Sequence, residues 1–155
     1  MAQPSKQIGD IVLSLFRLNG LLLAWGDHFA SSAGLTSARW QVLGALSLAD
    51  DPMTAPQIAE RMGVTRQGVQ KQLNLLLDDG CVEKRANRMH KRSPLYVLTD
   101  KGEALFQRIS NLWDNHAAEW AKTLTTEQLD QTQNTLNQLT NIINEENHHE
   151  KTNHS

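Results

Sequence analysis

The sequence predicts a mainly α-helical chain interrupted by one small β-hairpin, and three observations lead there. Apolar residues recur at helical spacing through most of the chain. Aromatic residues are only 5 % and glycines only 9 of 155, fewer than strand-rich domains of this size carry. The period becomes strand-like only between residues 81 and 98.

The first element runs from Ile8 to Phe29. Ile8, Ile11, Leu15, Leu18, Leu22, Trp25 and Phe29 follow each other in steps of 3 and 4, a seven-residue repeat held for three heptads. So strict a stripe reads as a helix packed against another helix along its length. Arg17 and Asn19 break the apolar stretch from Ile11 to Trp25, so neither a transmembrane helix nor a signal peptide is expected, and the expected compartment is the cytoplasm. Gly34 closes the segment. Thr36 or Ser37 caps a second helix, Ala38 to Leu48, whose apolar residues are Trp40, Val42, Leu43, Leu46 and Leu48 and which ends at Asp50-Asp51-Pro52.

Residues 54–79 read as two short helices with a tight joint. Thr54 caps the first, Pro56 sits harmlessly in its first turn, and Ile58, Ala59 and Met62 face inward. Gly63 supplies the turn and Thr65 caps the second helix, which buries Val69, Leu73, Leu76 and Leu77 before Gly80 ends it. Small Ala59 lets the helices cross closely and Gly63 permits the bend: a helix-turn-helix. Cys81 to Arg85 and Leu95 to Leu98 are strand-like, and the linker Ala86 to Pro94 holds Arg88, His90, Lys91 and Arg92 with no acid. A hairpin with a basic tip directly after a helix-turn-helix is a wing. Thr99-Asp100 then cap a helix to about Lys122, with Leu105, Ile109, Leu112, Trp113, His116 and Trp120 on one side. Thr125 opens a last helix in which Leu129, Leu136 and Ile143 repeat at seven. The polar end from Asn147 is expected to fray.

The net charge of −2 argues against a nucleic-acid partner only until it is divided. Residues 61–92 hold 8 basic and 3 acidic residues, whereas 114–155 hold 2 and 7. A solvated charged face is the ordinary reading of such a run. Its coincidence with the helix-turn-helix and the wing decides for duplex binding, which needs positive charge only where phosphates lie. With Val69, Leu73, Leu76 and Leu77 turned inward, a helical wheel turns Gln67, Lys71, Asn74 and Asp78 outward, with Gln70 flanking and Arg66 in the first turn after Thr65. Gln and Asn suit adenine edges, while Lys and Arg suit guanine or phosphate. Gly68, mid-helix, serves close approach of either a neighbouring helix or DNA.

Leu35-Thr36-x-x-x-Trp40-x-Val42-Leu43, Ile58-Ala59-x-x-x-Gly63-Val64, Val69 through Gly80, and Arg92-x-x-x-x-x-Leu98-Thr99-x-x-Gly102 together resemble the MarR family of winged helix-turn-helix regulators, over roughly residues 8–146. The junction Leu98-Thr99-Asp100-Lys101-Gly102 is the most specific part. The resemblance implies a homodimer in which residues 1–34 and 100–147 form a helical dimerisation region. It implies that 35–99 form the DNA-binding domain; the polar composition of 148–155 reads as a disordered tail. It also implies a double-stranded, pseudo-palindromic operator, with Thr65, Arg66, Gln67, Gln70, Lys71 and Asn74 at the major groove. Arg88, Lys91 and Arg92 then meet the minor groove and phosphates. Family wings carry an acid two or three residues before the wing arginine; here those positions hold His90 and Met89, which leaves the wing less rigid or pH-sensitive.

Many members of that family are released from DNA by small aromatic or anionic molecules. Trp25, His28, Phe29, Trp40, Trp113 and His116, with Trp120, fall in the elements that would line such a site, although aromatics at helical spacing are more often core. The reading is thus a repressor, released by a small effector, with no membrane partner. Its rival is a protein-interaction module that keeps the fold and has lost DNA binding. Cys81, the single cysteine, excludes a disulfide and any multi-cysteine zinc site. It reads as a buried structural residue, with Lys84 and Arg85 nearby opposing burial in setting its pKa. No catalytic, cofactor or metal motif is found, and the tail histidines His148, His149 and His154 suggest only adventitious metal affinity.

Overall fold

A computed structural model describes residues 3–153. Helix α1 spans Pro4–Ser31, with Pro4 in its first turn, and it ends where Gly34 takes a left-handed φ of +72° and the Leu35 amide donates to the Ala30 carbonyl at 3.0 Å. Helix α2, Ser37–Ser47, starts on Thr36, whose hydroxyl accepts from the Arg39 amide. A two-residue strand β1, Met53–Thr54, follows; it is too short to leave a periodic trace in the sequence. Thr54 is also the N-cap of α3, Ala55–Met62, in a reciprocal box: the Thr54 hydroxyl accepts from the Gln57 amide, and the Gln57 side chain accepts from the Thr54 amide. Gly63 turns the chain at φ +67°, where a β-carbon would be strained. Helix α4, Arg66–Asp78, starts on Thr65, which accepts from the Gly68 amide at 3.0 Å.

Strands β2, Val82–Arg85, and β3, Leu95–Leu98, pair antiparallel from Val82 opposite Leu98 to Arg85 opposite Leu95, leaving residues 86–94 as the tip. β1 pairs with the other side of β3, Met53 opposite Tyr96, so the sheet has the order β1-β3-β2. The third strand is an addition to the expected hairpin. It arises because residues just before α3 find free backbone groups on β3. Helices α5, Asp100–Ala121, and α6, Thr126–Asn153, complete the chain.

The chain divides into two compact units, one ending at Asn111 and one beginning at Leu112. The first has a single apolar core in which Leu43, Ile58, Val69, Leu73, Leu76, Tyr96 and Ile109 are essentially inaccessible. Helix α1 and the part of α5 up to Asn111 belong to this unit, and two tight joints fasten them to it. At one joint a β-carbon on Gly26 would overlap Ser37, whose amide donates to Asp27 at 2.8 Å and whose hydroxyl donates to the Leu23 carbonyl at 2.7 Å. At the other, Gly102 abuts the Cys81 backbone, the Thr99 amide donates to the Cys81 carbonyl, and the Thr99 hydroxyl donates to that of Gly80.

In the second unit α6 begins on a reciprocal cap between Thr125 and Gln128. It stays helical through the segment expected to fray, with the Thr152 hydroxyl donating to the His148 carbonyl, as far as Asn153; His154 and Ser155 lie outside the described residues. No residue of α6 is buried, and Leu129, Ile142 and Ile143 are exposed. Helix α1 exposes two apolar lines. One is the expected heptad at Ile8, Ile11, Leu18 and Leu22; the other runs through Leu13, Phe16 and Leu23. By length and composition α1 is apolar enough to cross a membrane, so Arg17 and Asn19 interrupt it less than their polarity alone suggests.

Candidate nucleic-acid interface

Helix α4 divides as the wheel predicts. Val69, Leu73 and Leu76 are buried and Leu77 half-buried, while Arg66, Gln67, Lys71, Asn74 and Asp78 are exposed. Leu75 is also exposed, an apolar residue that the wheel did not single out. The first turn of α4, the first turn of α3 and the wing together enclose one open cleft of about 310 Å³, lined by Arg66, Gln67, Gln70 and Arg92 with Ala55 and Pro94. Thus residues from opposite ends of the motif, 26 positions apart in the case of Arg66 and Arg92, face a common space. Arg88 and Lys91 are exposed at the wing tip, outside that cleft.

Among the described residues, Arg66, Lys71, Arg88, Lys91 and Arg92 form no ion pair, whereas Arg85 is engaged by Glu83 at 3.2 Å and Arg39 by Asp79 at 3.5 Å. The cations around the cleft and the tip are therefore left for an external anion, while Arg85 and Arg39 are neutralised locally. Exposed pairs of that kind contribute little to stability.

The wing is braced differently from the family pattern. Neither His90 nor Met89 supplies an acid; instead Asn87, half-buried, donates from Nδ2 to the Ser93 carbonyl at 2.9 Å and accepts from the Met89 amide at 3.1 Å. The Ser93 amide donates to the His90 carbonyl, closing the turn. An amide that bridges both arms of the tip replaces the missing carboxylate, and its signal in the sequence was only an asparagine in a loop.

Gln70 is the one predicted reader that is half-buried, and its Nε2 donates both to Asn74 Oδ1 at 3.0 Å and to the Tyr96 hydroxyl at 3.2 Å. Gly68 has no neighbouring helix against it. The single atom near a β-carbon there is the capping oxygen of Thr65, at 3.0 Å, which removes the helix-packing explanation of this glycine.

Ring contacts join several of the expected effector residues within each unit. In the first unit Trp25 stacks on Phe29 at 4.8 Å between ring centroids, and Phe29 meets Trp40 at 5.4 Å; His28 is exposed. In the second, Trp113 and His116 each meet Trp120 edge-on, at 5.6 and 5.4 Å. Cys81 is buried, and burial pushes its thiol pKa up. The cations opposing that shift are Lys101 and Arg39, which replaces the expected pair Lys84 and Arg85: those two lie further along β2. Lys101 reaches back to the Asp79 carbonyl at 2.6 Å, which brings it beside the thiol.

Comparison with known proteins follows the same lines. A family model described as MarR family matches residues 33–93. An uncharacterized protein of Mycobacterium tuberculosis is 45 % identical over 106 residues, 68 % of this chain and 73 % of that protein. The transcriptional repressor YetL of Bacillus subtilis is 28 % identical over 119 residues, 71 % of each chain. Among solved structures, the M. tuberculosis transcriptional regulator MosR in complex with DNA superposes with a TM-score of 0.68 at 25 % identity, over 85 % of this chain and 96 % of that one.

Proposed function

Because the chain belongs to the MarR family of winged helix-turn-helix, DNA-binding transcription regulators, we propose that it acts as a homodimeric repressor of a pseudo-palindromic operator, released by a small ligand. The observation that carries the DNA half is the shared cleft. Arg66, Gln67 and Gln70 of α4 and Arg92 of the wing line it, with Lys71 and Asn74 exposed along the same helix. Duplex affinity comes chiefly from cations meeting phosphates, and here those cations are unpaired within the protein. On this reading Arg66, Gln67, Gln70, Lys71 and Asn74 enter the major groove behind the Thr65 cap. Arg92 enters the minor groove, and Arg88 and Lys91 hold phosphates.

The dimer half is supported by the two exposed apolar lines of α1 and by Leu129, Ile142 and Ile143 of α6. Apolar rows of that length on a water-soluble chain call for a cover, and a second copy supplies one at matching heptad spacing. Repression follows the relative YetL, which is a repressor by name. Release by an aromatic or anionic effector rests on the ring group Trp25, Phe29 and Trp40, with His28 alongside, and on Trp113 and His116.

A gel shift against the DNA upstream of the chain's own gene tests the reading, with Arg92→Ala as control and sedimentation of the free protein in parallel. Retarded fragments that the control releases, and a sedimenting mass of two chains that Leu18→Glu halves, are the expected results. Failure to retard any such fragment at low salt favours an interaction module, and co-pelleting with lipid vesicles assigns α1 to a membrane instead. Titration with salicylate-like acids, followed by tryptophan fluorescence and operator release, tests the effector.

A further inference from the structure

The amide of Gln70 is held by the protein from two sides. Its Nε2 donates to Asn74 Oδ1, one turn further along α4, at 3.0 Å, and to the hydroxyl oxygen of Tyr96 on the central strand β3 at 3.2 Å. A primary amide carries two N–H donors, so both are used inside the protein. Two groups remain without a partner among the described residues: the carbonyl oxygen of Gln70 and the amide nitrogen of Asn74.

Tyr96 is suited to hold that amide in place, its hydroxyl oxygen accepting from the Gln70 nitrogen. Tyr96 is 1 % exposed, and it sits mid-strand between Met53 on one neighbour and Lys84 on the other, so the hydroxyl cannot follow the movements of α4. A glutamine on a helix surface would otherwise sample several rotamers and present its amide either way round.

We propose that Tyr96 is a positioning residue for sequence readout: by holding the Gln70 nitrogen, it makes Gln70 read bases only as an acceptor. Gln70 then selects an exocyclic amine, N6 of adenine or N4 of cytosine, and Asn74 beside it presents a donor. This rests on the reading of α4 as the helix that enters the major groove. A free glutamine donates and accepts at once and grips an adenine edge by two bonds. The tethered one keeps only the accepting half, and the complementary half moves to Asn74. Guanine O6 and thymine O4 are excluded as partners of Gln70, since acceptor would face acceptor.

The test begins with selection from random duplex DNA by the full chain and by its Gln70→Ala and Tyr96→Phe variants. The base pair whose preference collapses in Gln70→Ala is the pair Gln70 reads. In the best wild-type sequence, the exocyclic amine of that pair is removed by placing purine for adenine or 2-pyrimidinone for cytosine. Its carbonyl is removed in a separate duplex. Loss of the amine is expected to weaken wild-type binding about tenfold, the size of one good base-edge contact, and to leave Gln70→Ala unaffected. Tyr96→Phe, which keeps the ring, is expected to lose most of the preference at that pair while its melting temperature and its affinity for unselected DNA stay near wild type. An amine whose loss costs nothing, a costly loss of the carbonyl, or no pair that depends on Gln70 overturns the acceptor assignment. Full preference in Tyr96→Phe overturns the positioning role. A wild-type chain that enriches no sequence at all overturns the DNA reading itself, a result distinct from the others, and the inference goes with it.

Discussion

Gly102 lies against the carbonyl of Cys81 so closely that no β-carbon fits between them. That approach joins the first turn of α5 to the start of β2, and three hydrogen bonds surround it: Thr99 amide to Cys81, Thr99 hydroxyl to Gly80, and Gly102 amide to Thr99. The obstacle is backbone, which cannot rotate away. Gly102→Ala is therefore expected to lower unfolding free energy by about 2–3 kcal/mol, the upper part of the range for overpacking. Urea denaturation measures it; a change under about 0.5 kcal/mol, typical of a neutral surface substitution, shows that the joint is soft.

The Gly26 joint differs because the obstructing atom there is the Ser37 side-chain oxygen. Gly26→Ala and Ser37→Ala should each destabilise, the first by collision and the second by losing the hydroxyl's bond to the Leu23 carbonyl. Together they should cost less than the sum, because removing the hydroxyl makes room for the new methyl. A double-mutant cycle reads this as a coupling of about 1 kcal/mol or more; strict additivity refutes the geometry.

Asn87→Ala removes both side-chain bonds that hold the wing tip. The core is untouched, so global stability should move by about 1 kcal/mol at most. Amide exchange at Met89 should rise, and operator affinity should fall as the arginines lose their fixed placement. An unchanged exchange rate means the tip is held by its backbone turn alone.

Salt dependence separates the wing cations from the rest. Removing one cation that meets a phosphate should flatten the slope of log affinity against log salt by about 0.9. Arg88→Ala and Lys91→Ala should each do so, whereas Arg85→Ala, whose guanidinium is engaged by Glu83, should leave the slope unchanged. Equal effects at all three positions would mean the ion pair does not withhold Arg85.

Burial holds the Cys81 thiol above the ordinary value of 9.0. The unfolded chain therefore releases this proton at lower pH than the folded one. Stability due to the buried thiol is complete below the unfolded pKa and is lost as pH rises toward the folded one. Between them unfolding free energy should fall by up to about 1.4 kcal/mol per pH unit more steeply than in Cys81→Ala. Matching slopes in the two proteins would dismiss the effect. At neutral pH the native thiol should react with iodoacetamide far more slowly than the unfolded one.

What the sequence disclosed was whatever has a period or a cap. Thr54, Thr65 and Thr125 each start the helix they were expected to start, Thr36 proves to be the cap of the two candidates for α2, and the inward face of α4 matches the wheel. What it withheld depends on packing at a distance. β1 is too short for alternation and exists because β3 lies beside it. The steric need for glycine at positions 26 and 102 comes from Ser37 and Cys81, which lie against them from other elements. The candidate site was legible by residue type, but not by orientation. Gln70 stood out as a reader, while its tether to Tyr96 spans 26 residues and no spacing rule anticipates it.

The strand order β1-β3-β2 leaves the sheet with edges that offer little to a passing chain. One is two residues long, and the other displays exposed Glu83, Lys84 and Arg85, the kind of short or charged border that discourages backbone pairing between molecules. Whatever copies of this chain gather along a stretch of DNA, the sheet gives them no template for polymerising into fibrils.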